Sequence, residues 1–181
     1  MRRIHLVSKL QTTHNSGFTI VELLIVIVVI GILAAIVIVA YQGVTKRAND
    51  TAVRSDLASL AKKLDTDKTM IGSDTYPVSE GELTSANIKV TKSAYDTTIN
   101  NFVYCRSDTN STMFAIVAKS KGGAVYYVTN TSMTPKEYTG AFPSARSTIC
   151  GVGAGGFGAT VIAGDPGLFG VTPGTWAPWV K

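Results

Sequence analysis

Glu22 is the side chain whose type and position most invite a chemical role, because it is a carboxylate inside an apolar stretch. Phe18 to Val21 precede it, and Leu23 to Tyr41 follow it with 19 residues that carry no charge. An ionisable side chain within a membrane segment is costly, and such residues usually mark a function. We therefore expect Glu22 to serve a function. The alternative is that its carboxylate snorkels to the lipid head groups at the end of the helix.

Histidine and cysteine are too few for most enzyme chemistry. The two histidines, His5 and His14, both precede the apolar stretch, and the two cysteines are Cys105 and Cys150. Hydrolase chemistry that passes a proton through histidine is therefore excluded downstream of the apolar stretch, and two cysteines are too few for nearly all zinc sites. We predict no catalytic residue, no metal site and no cofactor.

The charged residues give weak evidence for a nucleic-acid partner. The net charge of +5 falls to +2 without the first 16 residues, which contain three bases and no acid. A short basic leader therefore explains much of the positive charge. Asp65, Asp67 and Asp74 have the residue type of a calcium site, but we favour a solvated helix end as their explanation.

The two cysteines predict one disulfide between Cys105 and Cys150. An even cysteine count behind a membrane-targeting start is typical of a polar portion outside the reducing cytoplasm. The bridge would close a loop of about 46 residues and contribute roughly 4 kcal/mol in the chain-entropy model. Basic residues flank the apolar stretch on both sides, so the positive-inside rule is nearly balanced. Because a disulfide needs an oxidising compartment, we predict that the C-terminal side faces outward.

The element that carries Glu22 is predicted to be a membrane helix. Nineteen helical residues span about 28 Å, close to the ~30 Å hydrocarbon core of a bilayer. Ile and Val would favour a strand in water, but an open strand in lipid leaves its backbone groups unpaired. A secretory signal peptide is the alternative. Cleavage after Ala35 or Ala40 would place Leu33 or Ile38 where a small residue is needed, which disfavours it.

Beyond Tyr41 the apolar residues become periodic, which predicts an amphipathic continuation of the helix over residues 42–71. Gly72 and Pro77 end the pattern. We therefore predict one helix with a membrane-spanning first half, residues 18–41, and a second half that packs under a head. The residues of the predicted apolar stripe are spaced as on one helix face and are Val53, Leu57, Leu60, Ala61 and Leu64.

Residues 72–181 are predicted to form a small β-rich head. Short strand-forming runs cover 88–91, 101–106, 113–119 and 124–129, and a glycine-containing turn joins the last two. They indicate an antiparallel sheet of three or four strands on the amphipathic helix face, hence an α+β fold. The glycine-rich tail is predicted to be irregular. Its tryptophans, Trp176 and Trp179, either pack on the head, which we favour, or contact a host surface or neighbouring subunit.

The run Gly17-Phe18-Thr19-Ile20-Val21-Glu22, between a short basic leader and a long apolar stretch, resembles the cleavage and methylation signature of type IV prepilins and the related pseudopilins. The resemblance covers residues 2–68 and implies the pilin fold. It implies that residues 1–17 are a leader peptide, that a prepilin peptidase cuts after Gly17, and that Phe18 becomes the N-methylated terminus. It also implies that Glu22 pairs with the terminal amine of Phe18 on a neighbouring subunit.

Gly31 and Ala35 form a small-xxx-small pair, which lets helices approach closely in lipid or in a filament core. The alternative is that glycine and alanine are simply common in membrane helices. Many type IV pilins carry a proline about eight residues after the glycine at the place of Gly31. Here that place is Val39, so the resemblance does not extend to a helix that unwinds locally during assembly.

The resemblance implies a structural subunit that starts in the cytoplasmic membrane and ends in an extracellular homopolymeric filament for motility, adhesion or DNA uptake. Its partners would be the prepilin peptidase, the inner-membrane assembly machinery, membrane lipid before assembly, and other copies of the chain.

Two alternatives stay open. The first is a minor pilin, either an adhesive tip component or a DNA-uptake receptor, which would use the tail aromatics and Arg106, Lys119, Lys121 and Arg146 against DNA or a host surface. The second is a pseudopilin of a type II-like secretion system. The disulfide-bounded loop resembles pilins more than typical pseudopilins.

Overall fold

The fold consists of one long helix, a short helix and an antiparallel sheet, and it confirms the predicted α+β class. The computed structural model describes residues 17–72, 74–77, 79–98, 102–106, 112–140, 169–170, 176 and 180–181. The elements in chain order are α1 (Ile20–Ile71), α2 (Glu80–Ser85), a 3-10 turn (Lys92–Ala94), β1 (Phe102–Arg106), β2 (Phe114–Lys119), β3 (Val125–Thr129), β4 (Ser132–Tyr138) and β5 (Phe169–Gly170).

Helix α1 is continuous over 52 residues. It contains no proline, and glycines such as Gly31 and Gly43 weaken a helix by only about 1 kcal/mol each. The chain divides into two compact units after Tyr41, within this helix. The first half of α1 is apolar and exposed on all sides, and the second half is amphipathic.

The sheet has the strand order β4-β3-β2-β1-β5, and all of its pairs are antiparallel. Strands β1, β2 and β3 match three of the four predicted runs to within one residue at each end. The run at 88–91 was wrongly predicted as a strand: Ile88 forms only an isolated parallel bridge with Val180. Strand β4 was not predicted because Pro135 breaks the strand pattern, which an edge strand tolerates.

The main core lies between α1 and one face of the sheet. All five residues of the predicted apolar stripe are buried, with exposures of 0 to 2%. They belong to one cluster with Phe102, Tyr104 and Ile116. Because strand side chains alternate between faces, Val103 and Cys105 point away from α1 and belong to a second buried cluster. The amphipathic pattern therefore identified the helix face that packs on the sheet.

Hydrogen bonds to Asp56 connect the loop before β1 to α1. The carboxylate of Asp56 accepts hydrogen bonds from the Thr91 N–H at 2.7 Å and from the Tyr95 hydroxyl at 3.0 Å. Burial first, and then the charge of Asp56, raise the pKa of Tyr95 far above its ordinary value. The Tyr95 hydroxyl thus stays protonated and keeps donating to Asp56. The two hydrogen bonds link the helix to a loop 35 to 39 residues further along the chain.

The described part of the C-terminal tail packs on the head. The ring of Trp176 meets the Tyr95 ring edge-on at 5.4 Å and lies 6.1 Å from the Phe102 ring. Val180 is 4% exposed and bridges to Ile88. The favoured interpretation of Trp176 as a residue packed on its own head is confirmed, whereas Trp179 lies outside the described residues.

Candidate functional site

The candidate site is the beginning of α1, where Thr19 and Glu22 bond to each other. The Thr19 hydroxyl accepts a hydrogen bond from the Glu22 N–H at 3.2 Å, and the Thr19 carbonyl accepts one from the Leu23 N–H at 3.2 Å. In return, Oε2 of Glu22 accepts the Thr19 N–H at 2.9 Å and the Thr19 hydroxyl at 2.7 Å. This reciprocal arrangement is a capping box. It fixes where the helix begins and holds the Glu22 carboxylate at that end.

The capping box leaves one carboxylate oxygen of Glu22 available. Both hydrogen bonds from Thr19 go to Oε2, and Oε1 accepts none from the described residues. The side chain is exposed and lies at the N-terminal end of α1, where the helix dipole favours a negative charge. The arrangement can therefore receive a further hydrogen-bond donor or cation from another molecule.

The part played by Thr19 was not predicted from the sequence. A signal was present, because threonine followed three residues later by glutamate, just before an apolar run, is the pattern of a capping box. The charge of Glu22 within an apolar stretch predicted a partner on another molecule instead. The structure shows a partner of Glu22 within its own chain, Thr19.

Gly17 and Phe18 lie before the helix without regular secondary structure. Phe18 is 87% exposed, and among the described residues no atom other than those of the chain neighbours lies within 4 Å of where a Cβ on Gly17 would stand. A peptidase needs an accessible, non-helical backbone around the bond that it cuts. The described residues around this bond are accessible, and cleavage and methylation stay predictions. The rest of the predicted leader, residues 1–16, lies outside the described residues.

The apolar first half of α1 has no cover within the described chain. The helix is long and apolar enough to cross a membrane: its most apolar window of 18 residues has a mean hydropathy of 3.6 and no buried residue. Gly31 lies on this exposed helix, and apart from the adjoining helix backbone no described atom lies within 4 Å of where a methyl group on it would stand. Close packing through Gly31 and Ala35 therefore remains a prediction about other copies. Val39, which stands where many type IV pilins carry a proline, lies within regular helix.

The other residues considered as candidate sites lie in the head and on the second half of α1. Cys105 is disulfide-bonded and 1% exposed. Its predicted partner Cys150 lies outside the described residues, so the pairing stays a prediction. Asp65 accepts a hydrogen bond from the Tyr76 hydroxyl at 3.0 Å, and Asp67 pairs with Lys63 at 3.2 Å. Burial first, and then the Asp65 carboxylate, raise the pKa of Tyr76 to about 12.

Among the described residues, the bases considered for DNA binding differ in their surroundings. Lys119 forms an ion pair with Asp96 at 3.0 Å, and Arg106 has its Nε buried. Lys121 is exposed in the turn between β2 and β3, and Arg146 lies outside the described residues. The ion pair of Lys119 and the packed ring of Trp176 remove two of the groups on which that alternative depends.

Comparisons with known proteins match both the helix and the head. Residues 12–38 match the prokaryotic N-terminal methylation motif. The chain is 32% identical over 126 residues to the type IV wide pilus major component PilA4 of Thermus thermophilus, which covers 67% of this chain and 92% of that protein.

Two further relatives match shorter stretches of the chain. The chain is 43% identical over 84 residues to the type IV major alpha-pilin of Moraxella bovis, covering 46% of this chain and 52% of that protein. It is 35% identical over 71 residues to the type II secretion system core protein G of Aeromonas hydrophila, covering 39% of this chain and 48% of that protein. The chain thus spans about half the length of these two relatives. No solved structure matches the chain.

Proposed function

Because this chain belongs to the type IV pilin-like family, we propose that it is the subunit of an extracellular type IV pilus. In this proposal a prepilin peptidase removes residues 1–17, Phe18 is N-methylated, and the assembly machinery of the inner membrane polymerises the subunits through α1. Membership in the family is carried by the 32% identity to the wide-pilus component over 92% of its length. The relatives named above are structural subunits rather than enzymes, and at that level this chain is one as well.

The observation that carries the proposal is the uncovered apolar half of α1. From Leu23 to Val39 the large apolar side chains are each about half or more exposed. An apolar surface of this size is stable only against lipid or other apolar side chains. Membrane lipid would cover it before assembly, and the helices of neighbouring subunits would cover it in the filament.

The free oxygen of Glu22 supports the proposed register of assembly. Cleavage after Gly17 would turn the Phe18 nitrogen into an ammonium group, which is the donor that Oε1 of Glu22 on a neighbouring subunit lacks. An unpaired carboxylate in an apolar filament core is heavily penalised, so subunits docked out of register would be rejected. The uncut precursor has no such amine and would not polymerise.

A secretion pseudopilin is the second candidate function, and the similarity to a type II secretion core protein favours it. Such a subunit would use the same cleavage and the same helix in a shorter filament. Deletion of the gene separates the two candidates: loss of surface filaments with secretion intact supports the pilus, whereas loss of protein secretion with surface filaments intact supports the pseudopilin.

Mass spectrometry of sheared surface filaments tests the proposal directly. We expect this chain to be abundant in that material, with an N-terminal methylated Phe18 and without residues 1–17. Absence of the chain from surface filaments, or a mature N-terminus other than Phe18, would contradict the proposal.

Two substitutions of Glu22 separate its pairing role from its capping role. Glu22→Ala removes both the charge and the capping box, whereas Glu22→Gln removes the charge but can keep the capping box. We expect both variants to insert into the membrane and to be cleaved, and neither to form filaments. The exposed acid Glu80 supplies a control, since Glu80→Gln should assemble normally. Normal filaments from Glu22→Gln would refute the pairing role.

A further inference from the structure

Three cationic side chains lie where the head meets the beginning of the amphipathic half of α1. Lys46 and Arg47 are neighbours on α1, and Lys121 lies in the turn between β2 and β3. All three are exposed. We call Lys46, Arg47 and Lys121 the basic rim.

The turn between β2 and β3 brings Lys121 against α1. A Cβ on Gly122 would lie 2.8 Å from the Lys46 carbonyl oxygen and would collide with the Asp50 carboxylate, so the turn passes the helix in close contact. The Lys121 N–H donates to the Ala94 carbonyl at 2.8 Å, which holds the turn from its other side. The position of Lys121 beside Lys46 is therefore set by packing and not by sequence separation.

The positive charges of the basic rim are not neutralised by ion pairs within the described part of the chain. Neither Lys46, Arg47 nor Lys121 forms an ion pair with a described residue, whereas Lys119 in the adjacent strand pairs with Asp96. Asp50 lies beside the rim, and its Oδ1 is buried without a hydrogen-bond partner among the described residues. The rim therefore presents a net positive charge to whatever lies next to it.

The apolar part of α1 ends immediately before the rim. Tyr41, the last residue of the apolar stretch, is 70% exposed, and tyrosine is typical of the membrane interface. At 1.5 Å per residue, Lys46 and Arg47 follow Tyr41 by about 8 and 9 Å along the same helix. The head-group layer on each side of a bilayer is about 5–8 Å thick. The backbone of these two residues thus lies at the outer edge of the head-group layer, and their long side chains can reach back to the lipid phosphates.

We propose that the basic rim binds the phosphate groups of anionic phospholipids in the outer leaflet of the membrane that α1 spans. Arg47 offers a planar fork of donors suited to phosphate oxygens, and the two lysines add point charges. Juxtamembrane cations are attracted to anionic lipid by about fivefold in affinity each. The rim would hold the head at the lipid surface before polymerisation. The proposal rests on the membrane-anchored stage of the proposed function, not on the kind of filament that forms.

The test measures how many phosphatidylglycerol molecules, compared with phosphatidylcholine, remain bound to the full chain in non-ionic detergent by native mass spectrometry. The rim variant is Lys46→Gln with Arg47→Gln and Lys121→Gln. We expect it to bind phosphatidylglycerol about tenfold or more weakly, with binding of phosphatidylcholine unchanged. The matched control removes three exposed lysines elsewhere and should stay within about twofold of the parent; its substitutions are Lys62→Gln, Lys89→Gln and Lys136→Gln.

Each other outcome contradicts the proposal. Equal losses in the rim and control variants would mean that the lipid responds to net charge alone. Competition by inorganic phosphate at millimolar concentration would indicate a site for free anions, and competition by a short DNA duplex would assign the rim to nucleic acid. Co-flotation of the full chain with vesicles is measured alongside: failure to insert contradicts the anchored stage itself, whereas insertion without a preference for phosphatidylglycerol contradicts only the rim.

Discussion

In the first half of α1, Leu33 leaves 56% of its surface exposed, whereas Leu57 in the second half leaves none. Both residues are leucines in one uninterrupted helix, so intrinsic helix propensity does not separate them. The second half is covered by the sheet of its own chain, and the first half needs cover from outside. One helix can therefore be stabilised in part by folding and in part by assembly. Substitutions in the two halves should affect different measurements.

The largest expected difference comes from the same substitution in both halves. Leu57→Ala leaves a cavity in the core and should lower the free energy of unfolding of the head by about 3 kcal/mol. Leu33→Ala should change it by less than about 0.5 kcal/mol, because Leu33 is 56% exposed and belongs to neither buried cluster of the head. Denaturation of the full chain in detergent measures both values. Similar losses in the two variants would remove the distinction between the halves.

A pair of glycines gives the next largest difference. Gly122→Ala would push a methyl group into the Asp50 carboxylate and the Lys46 carbonyl, so we expect a loss of about 1–3 kcal/mol in the stability of the head. Gly31→Ala meets nothing within 4 Å and should leave the stability of the head unchanged. For filament yield we expect the opposite ranking: Gly31→Ala should have the larger effect, because it would hinder close helix packing. Thermal unfolding and filament yield provide the two measurements.

The capping box predicts a smaller and local effect at the beginning of the first half. Thr19→Ala removes both hydrogen bonds of the Thr19 hydroxyl, so amides of the first helical turn should exchange with solvent about fivefold faster. Thr51→Ala removes a hydroxyl that bonds only the Arg47 carbonyl within the helix, and it serves as the control. Hydrogen exchange in detergent checks both. Unchanged exchange in the Thr19 variant would contradict the capping role.

The smallest expected effect is an acid sensitivity confined to the head. Burial raises the pKa of Asp96, but hydrogen bonds from Thr98 and the charge of Lys119 outweigh it, so the pKa lies below its ordinary value. A carboxyl whose pKa is lowered by folding adds stability above its unfolded pKa of about 3.9, and this stability is lost as the pH falls below that value. Asp96→Asn should therefore flatten the decline in stability between about pH 4 and pH 2. An unchanged decline in the variant would refute this contribution.

The helix and its faces could be predicted because they depend on local patterns. An uncharged run of 19 residues indicates a span, and a repeat of apolar residues near 3.6 positions identifies the stripe from Val53 to Leu64. The three central strands could be predicted because their side chains are buried and β-forming. Strand β4 escaped prediction, since its polar residues and Pro135 form a strand only through pairing with β3.

For the candidate site, the sequence indicated Glu22 and its neighbours but not how Glu22 is held. Its pattern of threonine, two apolar residues and glutamate is short, and the charge in an apolar stretch suggested a more distant partner. The pairing of Asp56 with Tyr95 could not have been predicted in the same way. It joins residues 39 positions apart, and no local period specifies such a contact.

The sequence by itself determined that the apolar stretch must be covered by lipid or by another molecule. The hydrophobic effect acts on every exposed apolar side chain of that stretch, however the head folds. Only the tertiary structure decided which charged side chains form ion pairs within the head and which stay exposed at its surface. Lys119 and Lys121 are two residues apart, yet packing gives the first an ion pair with Asp96 and places the second beside Lys46, with no ion pair among the described residues. Charge pairing depends on distance in space, and only packing sets that distance.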